Sequence, residues 1–306
     1  MMHQSSGHWR LGLGLSFVTV FLWGVLPLAL TITLQELDVF TVVWFRFSTA
    51  FICLATYLLF QKKLPTLAEL RATSWQLLVV ATLCLAANYF LFTQGLGLTS
   101  PGNAEVIIQL SGVLLGCGGL VIFHERYTLN QWLGVAVLTV GFTLFFHSQL
   151  ANLMTSKGEY LLGSGLIVFA SIAWAIYALS QKQLLQSLSS AKIMLIIYGG
   201  CALLFTPFAK INTIFTLDRF HFSILVFCAL NTFIAYGAFA ESLEHWQASR
   251  VSSVLALAPI ITLISGWLMS VIAPNIISPE NISLMGIIGA FLVVAGSISI
   301  ALGKSN

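Results

Sequence analysis

Charge is what this sequence lacks most. Only 10 acidic and 13 basic residues occur among 306, or 8% of the chain, where a soluble globular chain carries roughly a quarter. So little polar material cannot cover a water-facing surface, which excludes an ordinary soluble enzyme or binding module. The net charge of +3 is small and scattered, which argues against a nucleic-acid partner. No glycine-rich phosphate-binding loop is present, so ATP-driven chemistry has no support. Cysteine is sparse as well. Cys53, Cys84, Cys117, Cys201 and Cys228 fall singly inside apolar runs, without metal-type or disulfide-type spacing, and read as packing residues. No metal or other cofactor is expected. The apolar run from Leu11 to Thr33 is too long for a cleaved signal peptide and lacks an A-x-A-like end, so it reads as a first membrane span.

What is abundant is apolar surface. Hydrophobic residues make up 58% of the chain, with 24 glycines distributed through the apolar stretches, as membrane helices tolerate. Lipid offers no partner to backbone N–H and C=O groups, so spans must be helices or a closed barrel. A barrel would alternate polar and apolar residues over about ten positions. Here the runs are continuous for about twenty residues, the length of a membrane-crossing helix. The expected fold is an all-α polytopic membrane protein with ten transmembrane helices, at 11–33, 39–60, 75–97, 102–123, 129–147, 159–181, 191–209, 222–243, 248–272 and 282–302. The segments 61–74 and 210–221 are the longest polar linkers in the middle of the chain.

Basic residues set an orientation. With a cytoplasmic N-terminus, that side holds Arg10, Lys62, Lys63, Arg71, Arg126, Lys182, Lys192, Arg250 and Lys304, against Lys157, Lys210 and Arg219 opposite. This fits the positive-inside rule with both termini cytoplasmic. The composition fits a multi-pass protein of a bacterial cytoplasmic (inner) membrane.

The two halves share ordered landmarks. Phe21-Leu22-Trp23-Gly24 parallels Ile172-Ala173-Trp174-Ala175 at an offset of 151, and Tyr89 parallels Tyr236 at 147. Gly134 and Gly141 parallel Gly289 and Gly296 at 155. The drift in offset is what loop indels produce, and PNIISPEN before the last span is one candidate insertion. Five spans per half is an odd number, so the expected organisation is two inverted five-helix repeats, over 1–147 and 159–302, a recurring design of secondary transporters.

Taken with those landmarks, the sequence resembles the drug/metabolite transporter (DMT) superfamily, and within it the EamA family of ten-span permeases. The resemblance rests mainly on residues 88–146, NYFLFTQGLGLTSPGNAEVIIQLSGVLLGCGGLVIFHERYTLNQWLGVAVLTVGFTLFF. Leu37-Asp38 with Arg46-Phe47, Trp174-Ala175-Ile176-Tyr177 and Ala258-Pro259 are also similar. Two departures stand out: Gly112 occupies the family's usual fourth-span proline position, and the second half lacks the acidic-basic loop pair. The resemblance implies a central cavity formed by spans one to four and six to nine. It leaves spans five and ten at the periphery or at a homodimer contact.

Ionisable groups inside a membrane are costly and mark functional candidates. Arg46 lies seven residues into span two, about 10 Å along the axis, and Glu105 lies at similar depth in span four. Two readings stay open for them: a cavity pair released by substrate or proton, and a permanent ion pair that fixes packing. Glu105 and Gln109 share a helix face that Gly112 and Gly116 continue. Trp23, Asn88, Tyr89, Trp174, Tyr177, Asn231 and Tyr236 are candidate lining groups for a partly apolar solute. Pro27 and Pro259 are candidate helix bends. The clusters His124-Glu125-Arg126 and Glu241, Glu244, His245, Arg250 read as solvated loop groups.

The function expected is secondary transport, with export of a small metabolite such as an amino acid or related solute. Driving forces are proton coupling, exchange or a gradient, and the partners are that solute, the lipid bilayer and a proton. A membrane-embedded sensor or assembly partner, and a lipid-modifying enzyme, are the competing readings. The enzyme reading lacks a catalytic constellation at an interface.

Overall fold

A computed structural model of the chain describes residues 6–124, 127–145, 147, 158–272 and 283–302. Among the described residues the regular elements are helices, with no strand. In order they are α1 (Trp9–Thr33), α2 (Val39–Phe60), α3 (Leu67–Ala72), α4 (Trp75–Leu98), α5 (Pro101–Ile122), α6 (Leu129–Phe145), α7 (Glu159–Leu184) and α8 (Ser190–Phe205). A 3-10 turn at Ile211–Thr216 leads to α9 (Arg219–His245), α10 (Ala248–Leu255), α11 (Ala258–Ile272) and α12 (Leu284–Leu302).

Seven segments are long and apolar enough to cross a bilayer: α1, α2, α4, α5, α7, α9 and the joined α10–α11. The apolar helices α6, α8 and α12 are shorter among the described residues. The outer surface matches that composition. Phe60, Leu203 and Phe291 are 73–84% exposed, an apolar coat that lipid accommodates and water does not. The chain is a polytopic α-helical membrane protein.

Several boundaries differ from those expected, each for a local reason. The seventh segment stops at Phe205 rather than 209, where Pro207 supplies no N–H to carry on the backbone ladder. The eighth starts at Arg219, where the Asp218 carboxylate caps α9 by accepting from the His221 N–H at 2.8 Å. The polar linker 61–74 holds the short helix α3, closed by a Thr66–Glu69 capping box. Lys192 on α8 donates to the Glu69 carboxylate and ties that linker to the second half. The ninth segment is divided between α10 and α11, since the Pro259 ring would collide with the Leu255 carbonyl in a continuous helix. Pro27, by contrast, lies within an uninterrupted α1. Residues 274–281, the candidate insertion, and Glu125-Arg126 lie outside the described residues.

The most extensive helix pairs are α4 with α7, α6 with α12, and α1 with α9; α5 packs on α7, and α1 on α10 and α11. Glycine permits the closest of these crossings. A Cβ on Gly141 would stand 2.9 Å from the Gly289 carbonyl oxygen, and one on Gly289 would stand 2.7 Å from that of Gly141. Gly134 and Gly296 repeat the arrangement at 3.1 and 2.7 Å, and Gly95 and Gly163 at 2.7 and 3.0 Å on α4–α7. Thus α6 and α12 pair with one another, and α12 joins the bundle through α10.

Candidate solute cavity

The cavity is built at the start of α2 and α5. Asp38 caps α2 by accepting from the Thr41 N–H at 3.1 Å and from its hydroxyl at 2.7 Å, which sets Arg46 two turns further along. Ser100 caps α5, with Pro101 at its first position. The Asn103 amide donates to the Ser164 hydroxyl at 3.0 Å and fixes α5 against α7. Glu105 then enters the bundle one turn into α5. On α4, the Asn88 amide donates to the Ala170 carbonyl at 3.0 Å. Tyr89 lies beside it on the wall, and Phe92 and Thr93 continue that wall one turn on.

These groups line a cavity of about 710 Å³, a volume that takes in the open solvent at its mouth. Of the residues singled out from sequence, Trp23, Pro27, Arg46, Asn88, Tyr89, Glu105, Gln109, Gly112, Trp174 and Tyr236 all line it. Packed rings from both halves of the chain stand at its wall. Trp23 meets Trp174 at 5.6 Å, Tyr236 at 4.9 Å and Phe239 at 5.4 Å between centroids, and Tyr89 meets Tyr236 at 5.2 Å.

Arg46 and Glu105 share the cavity but form no ion pair. The Arg46 Nε–H donates instead to the Thr232 hydroxyl at 2.9 Å, and the guanidinium stacks 4.4 Å over the Tyr89 ring. Thr232 is itself oriented, since its hydroxyl donates to the Cys228 carbonyl at 3.0 Å. Glu105 is only 5% exposed and has no hydrogen-bond or ion-pair partner among the described residues. A permanent packing pair between the two is therefore not the arrangement adopted.

Two of the expected lining residues stand elsewhere. Tyr177 is fully buried behind the ring cluster, its hydroxyl directed to the Met194 sulfur at 3.3 Å. Asn231 clamps a helix crossing, donating to the Leu22 carbonyl at 2.6 Å. Pro259, a candidate helix bend, sits at the α10–α11 break, and its neighbours Leu255 and Ala258 line the cavity. Gly116 belongs to a second, more apolar recess of about 700 Å³ between α5, α6, α10 and α12. Of the loop cluster, His245 bonds the Ser6 hydroxyl at 2.8 Å and approaches Glu241 at 3.4 Å.

Sequence reading missed Phe92, Thr93 and Thr232. Helical spacing carried the signal: Thr93 is one turn after Tyr89, and Thr232 is one turn before Tyr236.

Comparison with known proteins agrees with this architecture. The chain matches the EamA-like transporter family over residues 10–147 and 161–302. It is 36% identical to the uncharacterized inner membrane transporter YhbE of Escherichia coli (strain K12), over 99% of this chain and 94% of that protein. An uncharacterized transporter of Haemophilus influenzae is 32% identical, over 96% and 95% of the two chains. A probable amino-acid metabolite efflux pump of Salmonella typhimurium is 22% identical, over 64% and 65%. One crystal structure superposes with a TM-score of 0.71 at 17% identity, covering 95% of this chain and 97% of the other, a likeness of fold. Two matched segments that together span nearly the whole chain leave one assignment: this protein belongs to the EamA-like transporter family, within the DMT superfamily, and is a transporter rather than an enzyme.

Proposed function

We propose that the protein is a secondary transporter that exports a small metabolite, an amino acid or related solute, from the bacterial cytoplasm by alternating access. The observation that carries this reading is a cavity that holds Arg46 and Glu105 and is walled by packed rings from both halves of the chain. Rings contributed by both halves part when the halves move relative to each other, without a new cavity having to be built.

The reading includes ten spans arranged as two inverted five-helix repeats. The contact pattern supports it. Exchange α1 for α7, α2 for α8, α4 for α9, α5 for α10–α11 and α6 for α12. The α4–α7 contact then becomes α9–α1, α5–α7 becomes the packing of α10 and α11 on α1, and α2–α9 becomes α8–α4. The α2–α8, α5–α10 and α6–α12 contacts map onto themselves. Inverted halves of this kind exchange conformations to alternate access. Both termini are assigned to the cytoplasm and the protein to the inner membrane, on the distribution of basic residues and the inner-membrane name of the E. coli relative. The Salmonella relative named as a probable amino-acid metabolite efflux pump supports export and the solute class. Glu105, a carboxyl without a partner in the cavity wall, is assigned as the proton-responsive group.

The test compares metabolites in culture medium from cells expressing wild type, Glu105→Gln and Arg46→Ala at matched membrane levels. One solute accumulating outside only with wild type supports export through this cavity. Equal export by all three removes the pair from the mechanism. Accumulation by none of them argues for uptake or for a sensor role.

A further inference from the structure

The most unusual group in the bundle is Arg46. It is 2% exposed, inside a membrane-spanning helix, and no carboxylate lies within ion-pair distance among the described residues. A cation held that deep without a counter-charge is costly. Yet it is not loose. Its Nε–H is committed to Thr232 at 2.9 Å and its plane is held 4.4 Å over the Tyr89 ring. What remains is the terminal Nη edge, the part of a guanidinium that pairs with a planar two-oxygen acceptor.

The polar atoms around it are also unsatisfied. The Thr93 hydroxyl and the Trp23 indole N–H are buried without a hydrogen-bond partner, the Tyr89 hydroxyl faces Thr232 and Tyr236 without a well-formed hydrogen bond to either, and all three residues line the same cavity. Tyr89 and Thr93 are 3% and 0% exposed. Orphaned buried polar groups are rare in native proteins and call for an explanation. Three of them beside an uncompensated cation share one: a guest that brings acceptor oxygens and negative charge.

We infer that Arg46 is the anchor for a carboxylate on the transported solute, with Tyr89 and Thr93 as its further hydrogen-bond partners and the solute's apolar body against Trp23 and Trp174. This rests on the transport reading and adds the recognised group to it. The solute class is a monocarboxylate with an apolar body. An amino group is not required for capture at Arg46. Thr232 is a positioning residue, acting on the solute only through Arg46.

The test uses purified full-length protein in lipid nanodiscs and matched probes: phenylacetate, its neutral analogue phenylacetamide, and the phenethylammonium cation. Quenching of tryptophan fluorescence reads binding. Phenylacetate should bind wild type more tightly than phenylacetamide by roughly tenfold or more, the scale of a charge-assisted hydrogen bond. Arg46→Gln should erase that preference, and Arg46→Lys should recover only part of it because an ammonium cannot form the two-pronged contact. Thr232→Val keeps the charge and should weaken phenylacetate binding while leaving phenylacetamide unchanged. Equal binding of acid and amide by wild type overturns the inference, as does an acid preference that survives Arg46→Gln, or no binding of phenylacetate at all. Flux through proteoliposomes of the same preparations is measured separately. Arg46-dependent carboxylate binding without flux leaves the anchor standing and removes the transport reading. Flux of a solute that ignores Arg46 does the reverse.

Discussion

The indole rings of Trp23 and Trp174 meet edge to face at 5.6 Å, although 151 residues separate them along the chain. Tyr89 and Tyr236, 147 residues apart, meet at 5.2 Å. Under the proposed inverted repeat, Trp23 corresponds to Trp174 and Tyr89 to Tyr236, so each ring meets its own counterpart. On that reading an axis relating the halves passes between the paired rings, and all four residues line the cavity.

The glycine crossings between α6 and α12 should be intolerant of any side chain. A Cβ on Gly289 would collide with the Phe145 backbone nitrogen, and one on Gly296 would stand 2.6 Å from that of Leu138. Gly289→Ala is expected to lower the melting temperature in detergent, at a cost of about 1–3 kcal/mol typical of overpacking. Gly237→Ala, with nothing within 4 Å of the added carbon, is the control and should match wild type.

Two side chains from the second half hold α1 near Pro27. The Asn231 amide donates to the Leu22 carbonyl at 2.6 Å and the Thr262 hydroxyl to the Gly24 carbonyl at 2.7 Å. Asn231→Ala and Thr262→Val should each destabilise the protein by about 1 kcal/mol, the scale of a hydrogen bond between membrane helices. Thermal unfolding of the two single variants and the double variant reads both the losses and their coupling.

The ion pair between linker helix α3 and α8 has a defined pH window. Hydrogen bonds from Lys192 and Thr66 hold the Glu69 carboxyl at about 2, below its ordinary 4.5. A depressed carboxyl contributes stability above its unfolded-state pKa and loses it as pH falls through the folded value. Glu69→Gln should therefore melt below wild type at neutral pH. The gap should begin to close below about 4.5 and vanish near about 2. A gap that is constant across this window contradicts the assignment.

Tyr177 separates lining from packing. It is fully buried with its hydroxyl on the Met194 sulfur. Tyr177→Phe should leave solute export unchanged, whereas Tyr89→Phe, which removes one of the orphaned cavity hydroxyls, should reduce it. Export measured at matched membrane levels distinguishes the two.

The apolar segments were legible because a membrane helix must carry about twenty apolar residues without relief. Their ends were less so: the stop at Phe205 depends on the N–H that Pro207 lacks and the break before Pro259 on the clash of its ring with the preceding turn, and α3 depends on one capping box. Arg46 and Glu105 stood out as charges in apolar runs. That they do not pair was illegible, because it depends on how α2 and α5 are rotated and on the competing hydroxyl of Thr232, far along the chain on α9. Tyr177 and Asn231 were legible as polar residues in membrane windows, but the face each presents is set by helix packing rather than by residue type.

If solute crosses the membrane through the Arg46–Glu105 cavity, its passage must depend on both side chains, whatever the solute is. Proteoliposomes are loaded with a bacterial metabolite extract, and mass spectrometry identifies what leaves vesicles bearing wild type, Arg46→Gln, Glu105→Gln or no protein. One carboxylate-bearing solute class should leave only the wild-type vesicles. Release that is identical from wild type and both variants, or no release beyond that of protein-free vesicles, contradicts passage through this cavity.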